Sequence, residues 1–393
     1  MGFGEAYYNC QLLHQKIFET PYHLDSDTKN IIPNKYLKAR WKMKAWSYGA
    51  ILCILFGTNS AWSLIRSILK IQAGEPVFME EVIVHGFAVP MVLQTLATMY
   101  TMERNPHEDA YMINQIFKAG NTQHKGWPSM KRRPDLPELL SYGIAIAFCS
   151  FPLAIGVYPL VRSRDPINVA LVDVLPEIPR RLLASLVYST VIFYCANICA
   201  SFLQIRLAFT HIFGKITKAN LTRCLGTCST PRIFQRRNFR STSGTQKDWN
   251  FNQSRKCLNQ YRLLMAMANR SNHIYIPLMT YVGMVFCIFA LYACVTMYDV
   301  QKFRIMMPFV CFIAFGMPTF IAFFIKHGSL PLIHSDLTIT FWRKKMLKPA
   351  ERKELKAMVR VGFEMGQFFI ITNMMALQIM DVILNHTISL LLA

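Results

Sequence analysis

The chain ends in NMMALQIMDVILNHTISLLLA, residues 373–393, a stretch that is long enough and apolar enough to cross a bilayer. It nevertheless contains Gln378, Asp381, Asn385 and His386. Ionisable residues inside a bilayer are costly, and they usually face other helices or a water-filled path. The position of these polar residues on the helix therefore matters for both fold and function.

Four polar side chains share one face of this helix, since each residue advances it by about 100°: Gln378, Asp381, Asn385 and Ser389. The other faces carry mainly Ile, Leu, Val and Met. Two interpretations remain open. The polar face lines an aqueous cation pathway, or it forms a buried hydrogen-bonded seam in which Asp381 is neutral or paired. A pathway would need several copies of the helix around a symmetry axis, because one chain supplies one such helix.

The rest of the sequence has the composition of a multi-pass membrane protein. Its 393 residues are 53% hydrophobic and 17% charged, whereas soluble chains average about a quarter charged. Seven apolar runs have the length of about 20 residues that a membrane helix needs. They lie near 44–67, 81–102, 138–160, 183–205, 274–298, 305–326 and 368–392. The sequence therefore predicts an all-α fold with seven transmembrane helices.

The distribution of Lys and Arg predicts the orientation. Of 43 such residues, 35 lie in the N-terminal segment and the loops on its side of the membrane, and 8 lie on the opposite side. Basic loops stay in the cytoplasm, so the N-terminus is predicted inside and the C-terminus outside. G-protein-coupled receptors have the opposite orientation. The same bias accounts for most of the net charge of +21, so no nucleic-acid partner is expected.

Three segments are predicted along the chain. Residues 1–43 form a cytoplasmic N-terminal segment, and residues 44–346 hold helices one to six with cytoplasmic extensions. A flexible basic loop at 229–250 interrupts that second segment. Residues 347–393 form a cytoplasmic amphipathic helix followed by the last transmembrane helix.

Cytoplasmic helices are predicted from the segments that flank the spans. In 347–368, Pro349 suits a helix start and Leu355 and Met358 share an apolar face, so we expect a helix leading directly into the last span. Segments 206–223 and 252–273 are predicted to extend spans four and five. These helices pack together in the cytoplasm, or they lie on lipid headgroups.

The sequence contains no strong catalytic or metal-binding pattern. His107, Glu108 and Asp109 in NPHEDAY are predicted to lie in a solvated loop, and His327 and His334 on the cytoplasmic surface. The G-x-S-x-G, H-E-x-x-H and P-loop motifs are absent. We therefore expect neither an enzyme nor a cofactor.

The cysteines are predicted to stay reduced. None of the eleven lies in a predicted outer loop, so no disulfide is expected. Cys224 and Cys228 form a CLGTC pair, but without a second pair or a nearby His they make a poor zinc site.

The architecture resembles the arthropod gustatory and odorant receptor superfamily. Members share about 400 residues, seven spans, an internal N-terminus, long helical extensions and an amphipathic helix before a short last span. Gustatory receptors carry a motif in that span that begins Thr-Tyr and ends Gln-Phe. Here HTISLLLA matches at Thr387, Ile388 replaces the tyrosine, and the Gln-Phe ending is absent. The chain is thus similar to a divergent gustatory receptor.

This resemblance implies a plasma-membrane chemoreceptor that acts as a ligand-gated cation channel. Four subunits, identical or mixed, would surround one pore lined by the last helix. A tastant or odorant would bind in the outer halves of the other spans, where the orientation places ten candidate residues. They are His85, Met91, Phe151, Tyr158, Tyr188, Tyr194, Phe289, Tyr292, Phe309 and Phe312. A transporter is the alternative, although no inverted repeat is visible.

Overall fold

The computed structural model describes residues 22–25, 30–33, 41–77, 79–104, 106–124, 139, 142–143, 160, 175–226, 251–296, 307–345, 347–366 and 369–392. Within these ranges the helices are α1 (Trp41–Gln72), α2 (Met79–Arg104), α3 (Pro106–His124), α4 (Glu177–Gly226), α5 (Phe251–Asn272), α6 (Tyr275–Thr296), α7 (Met307–Arg343), α8 (Pro349–Ala357) and α9 (Met374–Leu392). Two short antiparallel hairpins accompany them: β1 (Tyr22–Leu24) with β2 (Ile31–Pro33), and β3 (Glu364–Met365) with β4 (Phe369–Ile370).

The all-α membrane fold predicted from the sequence is confirmed. Six helices in the described ranges are long and apolar enough to cross a bilayer: α1, α2, α4, α6, α7 and α9. Each coincides with one of the predicted spans. The remaining predicted span, 138–160, lies outside the described residues except for a few positions, and the predicted basic loop 229–250 lies outside them entirely.

Several helices continue past their apolar spans, as predicted. Helix α4 runs unbroken through 206–223, and α5 precedes α6 with a turn at 273–274 between them. The extensions of α4 and α7 pack along each other, and the Trp342 indole N–H of α7 donates to the Ser254 hydroxyl of α5 at 3.1 Å. The Trp342 ring also meets Phe251 edge-on, with centroids 5.6 Å apart. Through these contacts, the extensions of α4 and α7 pack with α5 into one helical bundle next to the membrane spans.

The prediction of one helix over 347–368 leading into the last span is wrong. Helix α8 begins at Pro349 as expected but ends at Ala357, and the chain is then extended up to the β3–β4 hairpin. Leu355 of α8 is buried, and Val361, Phe363 and Met365 in the extended part are also buried. Residues 361–363 are all buried, so this segment lies in the core as extended chain and does not show the one-sided burial of an amphipathic helix.

Side chains from two helices hold this connector between α8 and α9. The Ser335 hydroxyl of α7 accepts from the Val361 backbone N–H at 3.0 Å. The Asn269 side chain of α5 donates to the Gly362 carbonyl at 3.1 Å and accepts from the Glu364 N–H at 3.1 Å. A Cβ at position 362 would lie 2.7 Å from the Ile370 side chain, so any other residue would force that side chain to move. The connector is therefore an ordered, docked part of the fold.

The prediction that NPHEDAY forms a solvated loop is also wrong. The residues from Pro106 onward begin α3, and Asp109 is 1% exposed. Its carboxylate pairs with Arg206 of α4, with 2.7 Å between Oδ2 and Nη2, and accepts from the Tyr22 hydroxyl at 2.9 Å. Pro106 at the helix start and acidic residues in the first turn are helix-start signals. The Asp109 carboxylate of α3 therefore serves to neutralise the buried Arg206 guanidinium.

The two histidines predicted on the surface lie at the α4–α7 contact. His334 is buried, and its Nδ1 is 3.1 Å from the Thr217 hydroxyl, so the surface prediction is wrong for this residue. His327 is half-buried, with its ring 4.1 Å from the Phe323 ring. The His327 ring also meets the His211 ring of α4, with centroids 5.3 Å apart, so both histidines lie between α7 and α4.

Candidate ligand cavity and polar last helix

A cavity lies among helices α2, α4, α6 and α7. Its volume is about 140 Å³, and it is open on one side. Its lining residues are Met91, Gln94, Cys195, Ala196, Cys199, Leu203, Tyr275, Met279, Val282, Gly283, Phe286, Phe312, Ile313, Met317, Phe320 and Ile321.

The lining is almost entirely apolar. Gln94 and Tyr275 carry its strong hydrogen-bonding groups, and Cys195 and Cys199 carry weakly polar thiols. The Tyr275 ring is buried and meets Phe202 edge-on, with centroids 4.4 Å apart, so its position is fixed by the core. No Asp, Glu, Lys or Arg lines this cavity. The cavity therefore suits a neutral, largely apolar molecule.

Two of the ten residues predicted to bind ligand line this cavity, Met91 and Phe312. Among the others, Tyr188 is buried against Phe56, with ring centroids 5.2 Å apart. Tyr194 packs against Gly49, where a Cβ would lie 2.1 Å from the phenol ring. Both tyrosines therefore join α1 to α4.

The remaining candidates do not line the cavity or lie outside the described residues. His85 is 2% exposed on α2, and Phe289 of α6 lies beside Phe87 with ring centroids 6.4 Å apart. Tyr292 is half-buried on α6, and position 309 lies in the first turn of α7. Phe151 and Tyr158 lie outside the described residues.

The last helix packs through a face that carries none of the predicted pore residues. Helix α9 rests on α6 and α7, and its buried residues, Met375, Ile379, Ile383 and Thr387, recur every fourth position. The predicted pore residues, Gln378, Asp381, Asn385 and Ser389, are all exposed in the protomer. At about 100° per residue, this polar face is centred roughly 130° around the helix from the packed face.

The architecture matches a solved membrane receptor. The chain aligns over 98% of its length with 97% of the insect olfactory receptor OR5 from Machilis hrabei in complex with eugenol, with a TM-score of 0.65 and 9% identity. The chain has the fold of this olfactory receptor. A second structure of OR5 from Machilis hrabei gives a TM-score of 0.54, also at 9% identity, and covers 98% of this chain and 96% of that one. No family model matches the sequence, and no curated protein is similar to it.

Sequence reasoning missed most of the residues that line the cavity in this olfactory-receptor fold. On α6 the lining positions Tyr275, Met279, Val282 and Phe286 share one helical face, with spacings that a periodicity search can detect. That helix is apolar on every side, however, so its pattern does not show which face points inward. The choice of outer-half residues instead selected Tyr188 and Tyr194, which pack between α1 and α4, and only Met91 and Phe312 line the cavity.

Proposed function

We propose that the chain is a chemosensory receptor subunit of the arthropod gustatory and odorant receptor superfamily and acts as a ligand-gated cation channel. The observation that carries this proposal is the position of Asp381. Its carboxylate lies on an exposed polar face of an otherwise apolar membrane helix. A lipid-facing Asp costs roughly 2.5–3.5 kcal/mol on insertion scales, so this face belongs against water or polar groups of other subunits.

A symmetric assembly removes this cost. Copies of α9 arranged around an axis, with four subunits as the superfamily resemblance implies, place Gln378, Asp381, Asn385 and Ser389 on a central path. The opposite face stays packed on α6 and α7. Rings of carboxylates favour cations over anions through their field. Homotetramers and mixed tetramers both satisfy this arrangement.

The ligand in this proposal is a small tastant or odorant that binds among α2, α4, α6 and α7. The apolar lining, with Gln94 and Tyr275 as polar partners, favours a neutral aromatic or aliphatic molecule over a sugar or an ion. The OR5 structure with a TM-score of 0.65 contains eugenol. The apolar lining therefore favours odorant-like ligands, whereas the degenerate motif at Thr387 leaves the gustatory subtype as a proposal from sequence.

The proposed orientation places the receptor in the plasma membrane with its N-terminus in the cytoplasm. The packed extensions of α4, α5, α7 and α8 then lie on the cytoplasmic side and provide the surface through which subunits associate. The 35-to-8 distribution of Lys and Arg supports this orientation. The proposal requires neither a cofactor nor an enzymatic step.

Whole-cell recording tests the proposed function. Cells that express the chain, alone and with a candidate partner subunit, are exposed to a panel of volatiles, bitter compounds and sugars. We expect an inward cation current evoked by apolar members of the panel. Ligand uptake without single-channel openings would indicate a transporter instead and would contradict the channel proposal.

Filling the cavity should weaken the response. Ala196 of α4 lines the cavity and is 3% exposed, so Ala196→Leu places three further carbon atoms in the space available to a ligand. We expect the half-maximal ligand concentration to rise at least tenfold, with surface expression measured in parallel. Leu186→Phe is the matched control, because Leu186 lies on the same helix but is 63% exposed. Equal changes in both variants would exclude this cavity as the binding site.

A further inference from the structure

Two pairs of cysteine thiols lie close together in the described part of the chain. Cys53 of α1 and Cys195 of α4 have their sulfur atoms 3.4 Å apart, and both side chains are fully buried. Cys294 of α6 and Cys311 of α7 have their sulfur atoms 3.7 Å apart, and both are only partly buried. The two pairs are similar in separation and differ in accessibility.

Helix lengths place the partly buried pair near one end of the membrane-spanning parts of α6 and α7. Cys294 is two residues before the end of α6, and Cys311 is four residues after the start of α7. The beginning of α9 marks the opposite boundary, where Ser329 of α7 bonds to Asn373. Ser329 follows Cys311 by 18 residues, about 27 Å of helix, which is close to the roughly 30 Å hydrocarbon thickness of a bilayer.

The fully buried pair lies far from either boundary. Cys195 precedes Arg206, the first charged residue after the span of α4, by 11 residues, or about 16 Å of helix. An aqueous oxidant reaches the membrane boundary but not this depth. The two pairs therefore differ in the property that decides whether neighbouring thiols oxidise, which is access to the oxidant.

We infer that Cys294 and Cys311 form a disulfide that joins the outer ends of α6 and α7. The step is a thiol–disulfide exchange with a dithiol oxidase of the secretory lumen. Both thiols lose their protons, one S–S bond forms between the two cysteines, and the disulfide of the oxidase takes up the two electrons and two protons. The bond requires the sulfurs to approach from 3.7 Å to about 2.05 Å, and both cysteines lie near helix ends.

This inference replaces the expectation that the protein lacks disulfides. Neither cysteine lies in a predicted outer loop, so sequence position gave no sign of the pair. The inference rests on the proposed orientation, in which the Cys294 end of α6 faces the oxidising side of the membrane. Phe312 and Ile313, which follow Cys311 directly, line the ligand cavity. The bond therefore joins two helices that form the cavity wall.

Peptide mapping of the full-length protein tests the inference. Free thiols are blocked with N-ethylmaleimide in denaturant at cell lysis, and the unreduced digest is analysed by mass spectrometry. We expect most Cys294 and Cys311 peptides to be linked, and Cys53 and Cys195 to carry the maleimide. Blocked thiols at both Cys294 and Cys311 would overturn the disulfide, as would equal linkage of both pairs, which reflects oxidation after lysis.

A gel assay with variants provides a second readout that does not depend on function. After blocking and reduction, wild-type protein should gain two maleimide–polyethylene glycol groups, Cys294→Ser and Cys311→Ser none, and the control Cys53→Ser two. A tag after Ala393, stained on intact cells, tests the orientation separately. An exposed tag with no gain in wild type would refute the disulfide alone, and a hidden tag would refute the orientation.

Discussion

Asp109→Ala is expected to destabilise the protein by about 3–5 kcal/mol, because it leaves the Arg206 guanidinium buried without its carboxylate. Domains are typically stable by about 5–15 kcal/mol, so this loss is a large fraction of the total. We expect a sharp fall in folded, surface-exposed protein. Fluorescence-detected size-exclusion chromatography of the detergent-solubilised protein measures it, together with the thermal midpoint.

The geometry explains the size of the expected effect. The Arg206 and Asp109 side chains are 3% and 1% exposed. The guanidinium also donates to the Ser271 hydroxyl at 3.1 Å and lies over the Phe202 ring, 4.5 Å from its centroid. Together with the Tyr22 hydroxyl, these contacts join the N-terminal hairpin, α3, α4 and the end of α5 around one ion pair. Removing it affects four segments at once.

Two matched variants separate this effect from a general loss of charge. Glu108→Ala removes the neighbouring carboxylate, which lies 4.0 Å from Arg270 in an exposed pair, and it should cost no more than about 1 kcal/mol. The double variant Asp109→Leu with Arg206→Met removes both buried charges and should be more stable than Asp109→Ala. If Glu108→Ala were as damaging as Asp109→Ala, the buried pair would not be the cause.

The membrane helices could be predicted well because each one is a long continuous run of apolar residues. An apolar run of about 20 residues has few alternatives in a bilayer, where every backbone group must be bonded within the element. The continuation of α4 through 206–223 was also predictable, since no Pro or Gly-rich break interrupts it. These features depend on local composition alone.

Other features depend on contacts that are distant in sequence. Asp109 pairs with a residue 97 positions away, and a polar segment such as NPHEDAY reads as a surface loop until that partner is known. The connector after Ala357 is held by Asn269 and Ser335, neither of which belongs to its own segment. The cavity lining was equally hard to predict, because the sequence of a helix that is apolar on all sides does not show which face points inward.

The connector also fixes the position of the start of α9, the predicted pore helix. Helix α9 follows a connector that is bonded to α5 through the Glu364 N–H and to α7 through the Val361 N–H. Within the connector, the Ile371 N–H donates to the Phe363 carbonyl at 2.8 Å. Helices α6 and α7 support α9 and also form part of the cavity wall. A ligand that shifts α6 against α7 therefore acts directly on the helix that carries Asp381.

Asp381→Asn should preserve assembly and reduce cation selectivity, because it removes one charge per subunit from the proposed central path. The asparagine side chain has nearly the size of the aspartate and stays polar, although an NH2 donor replaces one acceptor oxygen, so packing should change little. We expect the ratio of sodium to chloride permeability, obtained from reversal potentials in dilution experiments, to fall several-fold. In a dry hydrogen-bonded seam the same substitution would leave permeation unchanged.

Cysteine substitution along α9 gives the decisive comparison, because three sets of positions differ in their surroundings. Cysteines at positions 378, 381, 385 and 389 should react with a water-soluble thiol reagent and block the ligand-evoked current. Those at 379 and 383 should not react, since Ile379 and Ile383 are packed on α6 and α7. Positions 377 and 384 are the sharper control, because Leu377 and Leu384 are 65% and 55% exposed in the protomer but lie on the apolar side of the helix. Reaction at 377 and 384 as fast as at 381 would mean that exposure alone governs labelling, and the polar face would then not line the path.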